Sequence, residues 1–287
     1  MLHRAFCGAS SWSVRRRTAG EAGRQAPVTR VLSAAALLAV VVVTIWLLPP
    51  AATVVVVAAA LVIAVVEYAG LAKAGGVDVA RVPATLAALA AAAAVAFEPA
   101  ALAPGLRASL VLSGVAALAG ASGDGALSRA AVGAFAAVYL ALPFGVLADL
   151  RLSGGPEALS LLLVTVIASD TAQYYGGRTL GRRLLAPKVS PKKTVEGAAF
   201  GIAGGMLVLG LDPGGWLPEL GPAGRVLLGA GVAVAGIAGD LFESRLKRAS
   251  GVKDSSALIP GHGGLLDRVD GLLFAAPAYW LVVRVAT

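Results

Sequence analysis

Residues 31–67 read VLSAAALLAVVVVTIWLLPPAATVVVVAAALVIAVVE, 36 uncharged residues closed by Glu67. A helix that crosses a bilayer needs roughly 17–25 mostly apolar residues, so the run is long enough for two. Pro49-Pro50 divides it, because proline lacks a backbone donor and clashes with the preceding helical turn. The reading is two spans, 31–48 and 51–69. Hydrocarbon offers the backbone no water, so each N–H and C=O must be paired inside the segment, and a helix is the default for such a run.

The same pattern recurs at 82–97, 105–122, 128–148, 157–175, 197–212, 223–243 and 270–286, which makes about nine spans. The expected fold class is therefore all-α, a polytopic integral membrane protein. The 82–97 run is mostly alanine and only weakly apolar. The five glycines from Gly197 to Gly210 point to close helix packing. Composition agrees: of 287 residues, 58% are hydrophobic and 14% charged, and mean hydropathy is +0.83. A soluble domain carries about 25% charged residues. That excludes a soluble, disordered or collagenous chain. Cys7 is the only cysteine, so no internal disulfide forms.

Net charge is +8, and its placement sets sidedness. With the N-terminus inside, the tail and segments 70–81, 123–129, 176–196 and 243–270 hold 20 Lys and Arg. The outer side then holds 4, Arg107, Arg151, Arg225 and Arg284. Cytoplasmic segments are enriched in Lys and Arg, so the N-terminus is expected in the cytoplasm and the C-terminus outside. Residues 1–30 carry six arginines and one acid, Glu21, and read as a basic cytoplasmic tail that meets anionic lipid. The apolar run starts too late and is too long for a cleaved signal peptide. Two regions follow: transmembrane helices over 31–155, and a catalytic membrane region over 156–287 with cytoplasmic loops 176–196 and 243–270.

Chemistry-bearing residues concentrate after residue 165. The first cluster runs from Asp170 through Tyr174 and Arg178 to Ser190-Pro191-Lys192-Lys193-Thr194 and Glu196-Gly197. An acid within a span is costly and faces a cavity or a partner. Cations neutralise a polyphosphate, and glycines let backbone N–H groups approach it. In the second cluster, Asp240, Glu243, Ser244 and Lys247 fall at i, i+3, i+4 and i+7, one face of a helix. That face must meet a polar cavity or another polar helix. Arg248, Lys253 and Asp254 follow, then Pro260-Gly261-His262-Gly263-Gly264, then Asp267, Arg268 and Asp270. Carboxylates bind a hard cation through oxygen, while Lys and Arg hold phosphates, so the two clusters together suggest a Mg²⁺–nucleotide site. His262 is either a ligand or a hydrogen-bonding residue that shapes its turn. With only His3 and His262 in the chain, a His-based zinc site is excluded. Glu67 lies near an inner span end, where it either has a function or reaches the interface.

These residues resemble phosphatidate cytidylyltransferase, the CDP-diacylglycerol synthase family. The family signature runs Ser-x-x-Lys-Arg, four residues, Lys-Asp, then Pro-x-His-Gly-Gly-x-x-Asp-Arg-x-Asp. Ser244, Lys247, Arg248, Lys253, Asp254, Pro260, His262, Gly263, Gly264, Asp267, Arg268 and Asp270 meet it. The upstream cluster also looks like that family, and the likeness spans about 169–277, with Gln173 a small departure. The resemblance implies a reaction of CTP with phosphatidate to give CDP-diacylglycerol and diphosphate. It further implies Mg²⁺ dependence with a second cation possible, a homodimer, and a site on the cytoplasmic face of the inner membrane; membrane lipids are partners and nucleic acid is not. On this resemblance Asp240, Asp267 and Asp270 are the expected metal ligands, with Asp170 a further candidate. Lys247, Arg248 and Asp254 join them as catalytic residues. Asp170, Arg178, Ser190, Lys192, Lys193, Ser244, Lys253, His262 and Arg268 are expected to bind substrate. Two other classes remain for comparison: a CTP-dependent lipid (polyprenol) kinase, which transfers the γ-phosphoryl group, and a non-enzymatic transporter.

Overall fold

In the computed structural model the described residues are 19–97, 111, 125–259 and 263–286, with side chains from residue 33 to residue 284. The expected 105–122 span, the tail before residue 19, Arg107 and His262 lie outside them. The chain forms α1 (Ala19–Trp46), α2 (Pro50–Ala74), α3 (Arg81–Phe97), α4 (Ala126–Ser153), α5 (Gly155–Leu180), a hairpin of β1 (Leu184–Ala186) and β2 (Ser190–Thr194), α6 (Val195–Leu211), α7 (Pro222–Ala249) and α8 (Leu266–Ala286). The proline pair does separate the first two helices, with Pro50 in the first turn of α2. Three helices, α2, α4 and α7, are long and apolar enough to cross a membrane. The 28 residues of α7 rise about 42 Å, more than the roughly 30 Å hydrocarbon core. Leucine, isoleucine and valine side chains stand exposed along several of the helices, among them Leu38, Val55, Ile167, Leu207, Leu227 and Val234. Apolar exposure on that scale suits lipid as solvent rather than water. The chain is a helical membrane protein.

Two packed cores hold the bundle. One joins Val146, Leu161, Leu162, Leu209, Val232 and Tyr279; the other joins Leu61, Val65, Leu140, Phe144, Leu266 and Leu273. Helices α5, α6, α7 and α8 pack in sequence order, and α4 connects them to α2 and α3. The glycine run of α6 does what its spacing predicts. A Cβ on Gly201 would lie 3.1 Å from the Ser169 carbonyl oxygen of α5, and one on Gly205 would lie 2.6 Å from the Gly229 carbonyl oxygen of α7. Within α4 a π turn spans Ala137–Ala141, closed by Leu142 N–H donating to the Ala137 carbonyl. Pro143 follows. It cannot donate to the preceding turn, and the wider turn absorbs the lost bond.

The expected loop 176–196 is more ordered than its sequence suggests. Helix α5 continues to Leu180, and the remainder forms an antiparallel hairpin with Leu184 opposite Thr194 and Ala186 opposite Ser190. The described fold is therefore helical apart from this hairpin and an isolated bridge between Ile259 and Gly263. At the opposite ends of these helices the expected outer arginines are engaged. Arg284 pairs with buried Asp149 at 2.6 Å, beside the Trp280 indole N–H, which donates to the same carboxylate at 2.6 Å. Arg225 pairs with Asp212 at 3.0 Å. The Asp212 carboxylate also accepts from the Trp216 and Leu217 N–H groups at 3.0 Å each.

Candidate active site

The C-terminal ends of α5 and α7, strand β2 and the first turn of α8 meet at one end of the bundle and enclose a cavity of about 500 Å³. Helix α5 supplies Asp170, Gln173, Tyr174 and Arg178; β2 supplies Ser190, Lys192 and Lys193; α7 supplies Asp240; α8 supplies Asp267, Arg268 and Asp270. Residues up to 100 positions apart, such as Asp170 and Asp270, thus line the same cavity. Local structure fixes the hairpin. Thr194 Oγ1 accepts from Gly197 N–H at 3.1 Å, capping α6. The Glu196 carboxylate accepts from Arg182 and Arg183 N–H at 3.0 and 3.2 Å, tying the hairpin base to that helix.

Two lysines sit among the acids. Lys193 pairs with Asp240 at 2.5 Å, while Ser244 Oγ donates to the other Asp240 oxygen at 3.3 Å. Lys247 lies between Glu243 and Asp267, 2.6 Å from each. Glu243 is fully buried, and its second oxygen has no partner among the described residues. Asp267 is more heavily used. Its Oδ1 takes Lys247, and its Oδ2 takes Ser255 N–H at 2.9 Å, Ser255 Oγ at 2.9 Å and Gly264 N–H at 2.8 Å. The i, i+4 pairs Asp240–Ser244 and Glu243–Lys247 are the helical face read from the sequence.

Other sequence candidates stand away from the cavity wall. Arg248 donates to the Val252 carbonyl at 3.2 Å, and Lys253 and Asp254 are exposed on the following loop. Ser244 and Lys247 stand one step back from the cavity, on Asp240 and on Glu243 and Asp267. Sequence reasoning left Glu67 open and passed over Ser255 and Ser256. The structure makes Glu67 the buried acceptor of Ser256 Oγ at 2.6 Å, Ser255 Oγ at 3.2 Å, Leu265 N–H at 3.0 Å and Leu266 N–H at 2.7 Å. The signal was available in principle: an acid ending so long an apolar run needs a polar destination. Gln173 also emerges: it lines the cavity, and its amide nitrogen is buried without a partner among the described residues.

The donor set fits a hard divalent cation. Asp170, Asp240 and Asp270 offer carboxylate oxygens to the cavity. Among the described residues no three such groups are gathered tightly enough to cage an ion by themselves. Mg²⁺ characteristically takes only one or two carboxylates and completes its shell with water and substrate phosphates.

A family model for the cytidylyltransferase family matches residues 28–286, nearly the whole chain. The chain belongs to the cytidylyltransferase family. It is 44% identical over 133 residues to a phosphatidate cytidylyltransferase of Brucella suis, covering 44% of this chain and 47% of that protein. It is 46% identical over 132 residues to one of Synechocystis, covering 42% and 44%. It is also 41% identical over 134 residues to the Escherichia coli protein YnbB, described as uncharacterized, covering 47% and 45%. The chain thus spans about half the length of the curated relatives it matches. Membership agrees with the signature residues Ser244 to Asp270.

Proposed function

We propose that this family member transfers the cytidylyl group of CTP to phosphatidate, giving CDP-diacylglycerol and diphosphate. The observation that carries the reading is the cavity itself. It brings four acids and four cations, drawn from four segments, to one end of a lipid-exposed bundle. A nucleoside triphosphate and an anionic lipid headgroup need that combination of charge.

A phosphate oxygen of phosphatidate attacks the α-phosphorus of CTP, forming a new P–O bond. The bond between the α-phosphorus and its bridging oxygen to the β-phosphate breaks, and diphosphate leaves with the electron pair. The nucleophile is already anionic, so no strong general base is required. The principal barrier is bringing anions together, and preorganised positive charge lowers it. Lys192, Lys193, Arg178 and Arg268 would bind phosphate oxygens, with Ser190 contributing a hydroxyl. A Mg²⁺ ion held by Asp240 and Asp270, with Asp170 and Asp267 beside them, would neutralise developing charge on the transferred phosphoryl. Lys193, paired with Asp240, is placed to exchange that partner for a substrate phosphate oxygen. Lys247, held by Glu243 and Asp267, keeps the floor of the site charge-balanced. His262, Lys253 and Asp254 would supply further substrate contacts.

The site would lie on the cytoplasmic face of the inner membrane, in a homodimer. The test of the reaction is product analysis with purified protein, phosphatidate and CTP labelled at either the α or the γ position. Label from the α position in the lipid supports cytidylyl transfer. Label from the γ position would assign a lipid kinase instead.

A further inference from the structure

Helix α2 carries none of the signature residues, yet its Glu67 meets the signature segment. Glu67 is 6% exposed and receives four neutral donors. Its Oε1 takes Ser256 Oγ at 2.6 Å and Leu265 N–H at 3.0 Å; its Oε2 takes Leu266 N–H at 2.7 Å and Ser255 Oγ at 3.2 Å. The first N–H groups of a helix have no partner within it and carry its partial positive charge. Glu67 therefore caps α8 from a different helix, at the turn that holds Asp267 and Asp270. Ser255 joins the two acids directly, because the same hydroxyl lies 2.9 Å from Asp267 Oδ2. It has one proton, so at any instant it serves one of the two carboxylates. The packing leaves no slack: a Cβ on Gly264 would fall 2.7 Å from both Glu67 oxygens.

We propose that Glu67 is a positioning residue for cytidylyl transfer, tying Ser255 and Ser256 to the start of α8 so that Asp267 and Asp270 face the cavity. This rests on the reaction proposed above. Replacing Glu67 with alanine would leave four donors buried together, so the informative change is Glu67→Gln. It keeps the volume but turns one acceptor oxygen, with two donors on it, into an NH₂ group.

The experiment measures kcat and KM for CTP in detergent-purified wild type and Glu67→Gln, with hydrogen exchange along 252–270. A positioning role predicts that kcat falls at least tenfold, about 1.4 kcal/mol of barrier, while KM for CTP stays within threefold. Exchange should quicken at Leu265 and Leu266. Ser256→Ala removes the 2.6 Å donor to Glu67, together with the exposed acceptor of Leu258 N–H, and serves if Glu67→Gln does not fold. It should lower kcat about threefold, again without raising KM. Reduced yield with wild-type kcat in the folded fraction, or raised KM with unchanged kcat, would overturn the role. Absence of CDP-lipid formation by wild type would instead overturn the reaction, and the positioning role with it.

Discussion

Asp267→Asn tests the site where its geometry is most constrained. The carboxylate takes one donor on Oδ1 and three on Oδ2. An asparagine has one acceptor oxygen and one NH₂ group. If the amide oxygen takes the Oδ2 position, the NH₂ faces the Lys247 ammonium group. If it is flipped, the NH₂ faces the Ser255 and Gly264 N–H groups. Neither orientation satisfies the site, and Lys247, with its side chain 11% exposed, loses one of two counter-charges. Removing one partner of a buried pair costs about 3–5 kcal/mol, and Glu243 still offsets part of this, so a loss nearer 3 kcal/mol is expected. Turnover should fall at least about a hundredfold, nearly 3 kcal/mol of barrier, because Asp267 also lines the cavity. Thermal stability and turnover should be measured on the same preparation. A folded Asp267→Asn protein with near-wild-type turnover would refute the reasoning and remove Asp267 from the site. Lost stability with normal turnover per folded molecule would reduce it to a structural pair.

Other parts of the account are open to equally direct tests. Asp149→Asn removes the partner of Arg284 and Trp280 far from the cavity; it should lower stability by about 2 kcal/mol and leave KM for CTP unchanged, as paired unfolding and kinetic measurements will show. Gly229→Ala would place a Cβ 2.4 Å from the Gly205 carbonyl oxygen, so α6 and α7 must part and stability should drop by about 1–3 kcal/mol, read as a lower melting temperature. For sidedness, Lys188→Cys in a Cys7→Ser background should resist an impermeant thiol reagent in intact cells and react after permeabilisation; reaction in intact cells would reverse the orientation.

Much of the fold was legible because lipid imposes a simple rule on sequence. From α2 onward the apolar runs and the Pro49-Pro50 break locate the starts of the described helices to within four residues, but α1 begins at Ala19 rather than 31 and α7 runs six residues past 243; the α6 glycines announce their close crossings with α5 and α7. The site was legible where it is local: Asp240, Ser244 and Lys247 share a helix face that spacing alone reveals. The hairpin was not, since LLAPKVSPKKT over 184–194 shows no alternation and carries Pro187 and Pro191. Nor were the tertiary partners of single acids. Glu67 and Ser256 are 189 positions apart, and Asp149 and Arg284 are 135 apart. Periodicity reports which face a residue occupies, not which distant donor it meets.

The central claim is that α-phosphorus chemistry on CTP occurs at this cavity with a lipid phosphate as nucleophile. The most direct measurement is to incubate the purified protein with phosphatidate, Mg²⁺ and α-labelled CTP, and to follow lipid-borne label and diphosphate together. The account predicts label entering the lipid with one diphosphate released per labelled lipid, and loss of both in Asp240→Asn. Label that stays in the nucleotide, or γ-label that appears in the lipid, would contradict it.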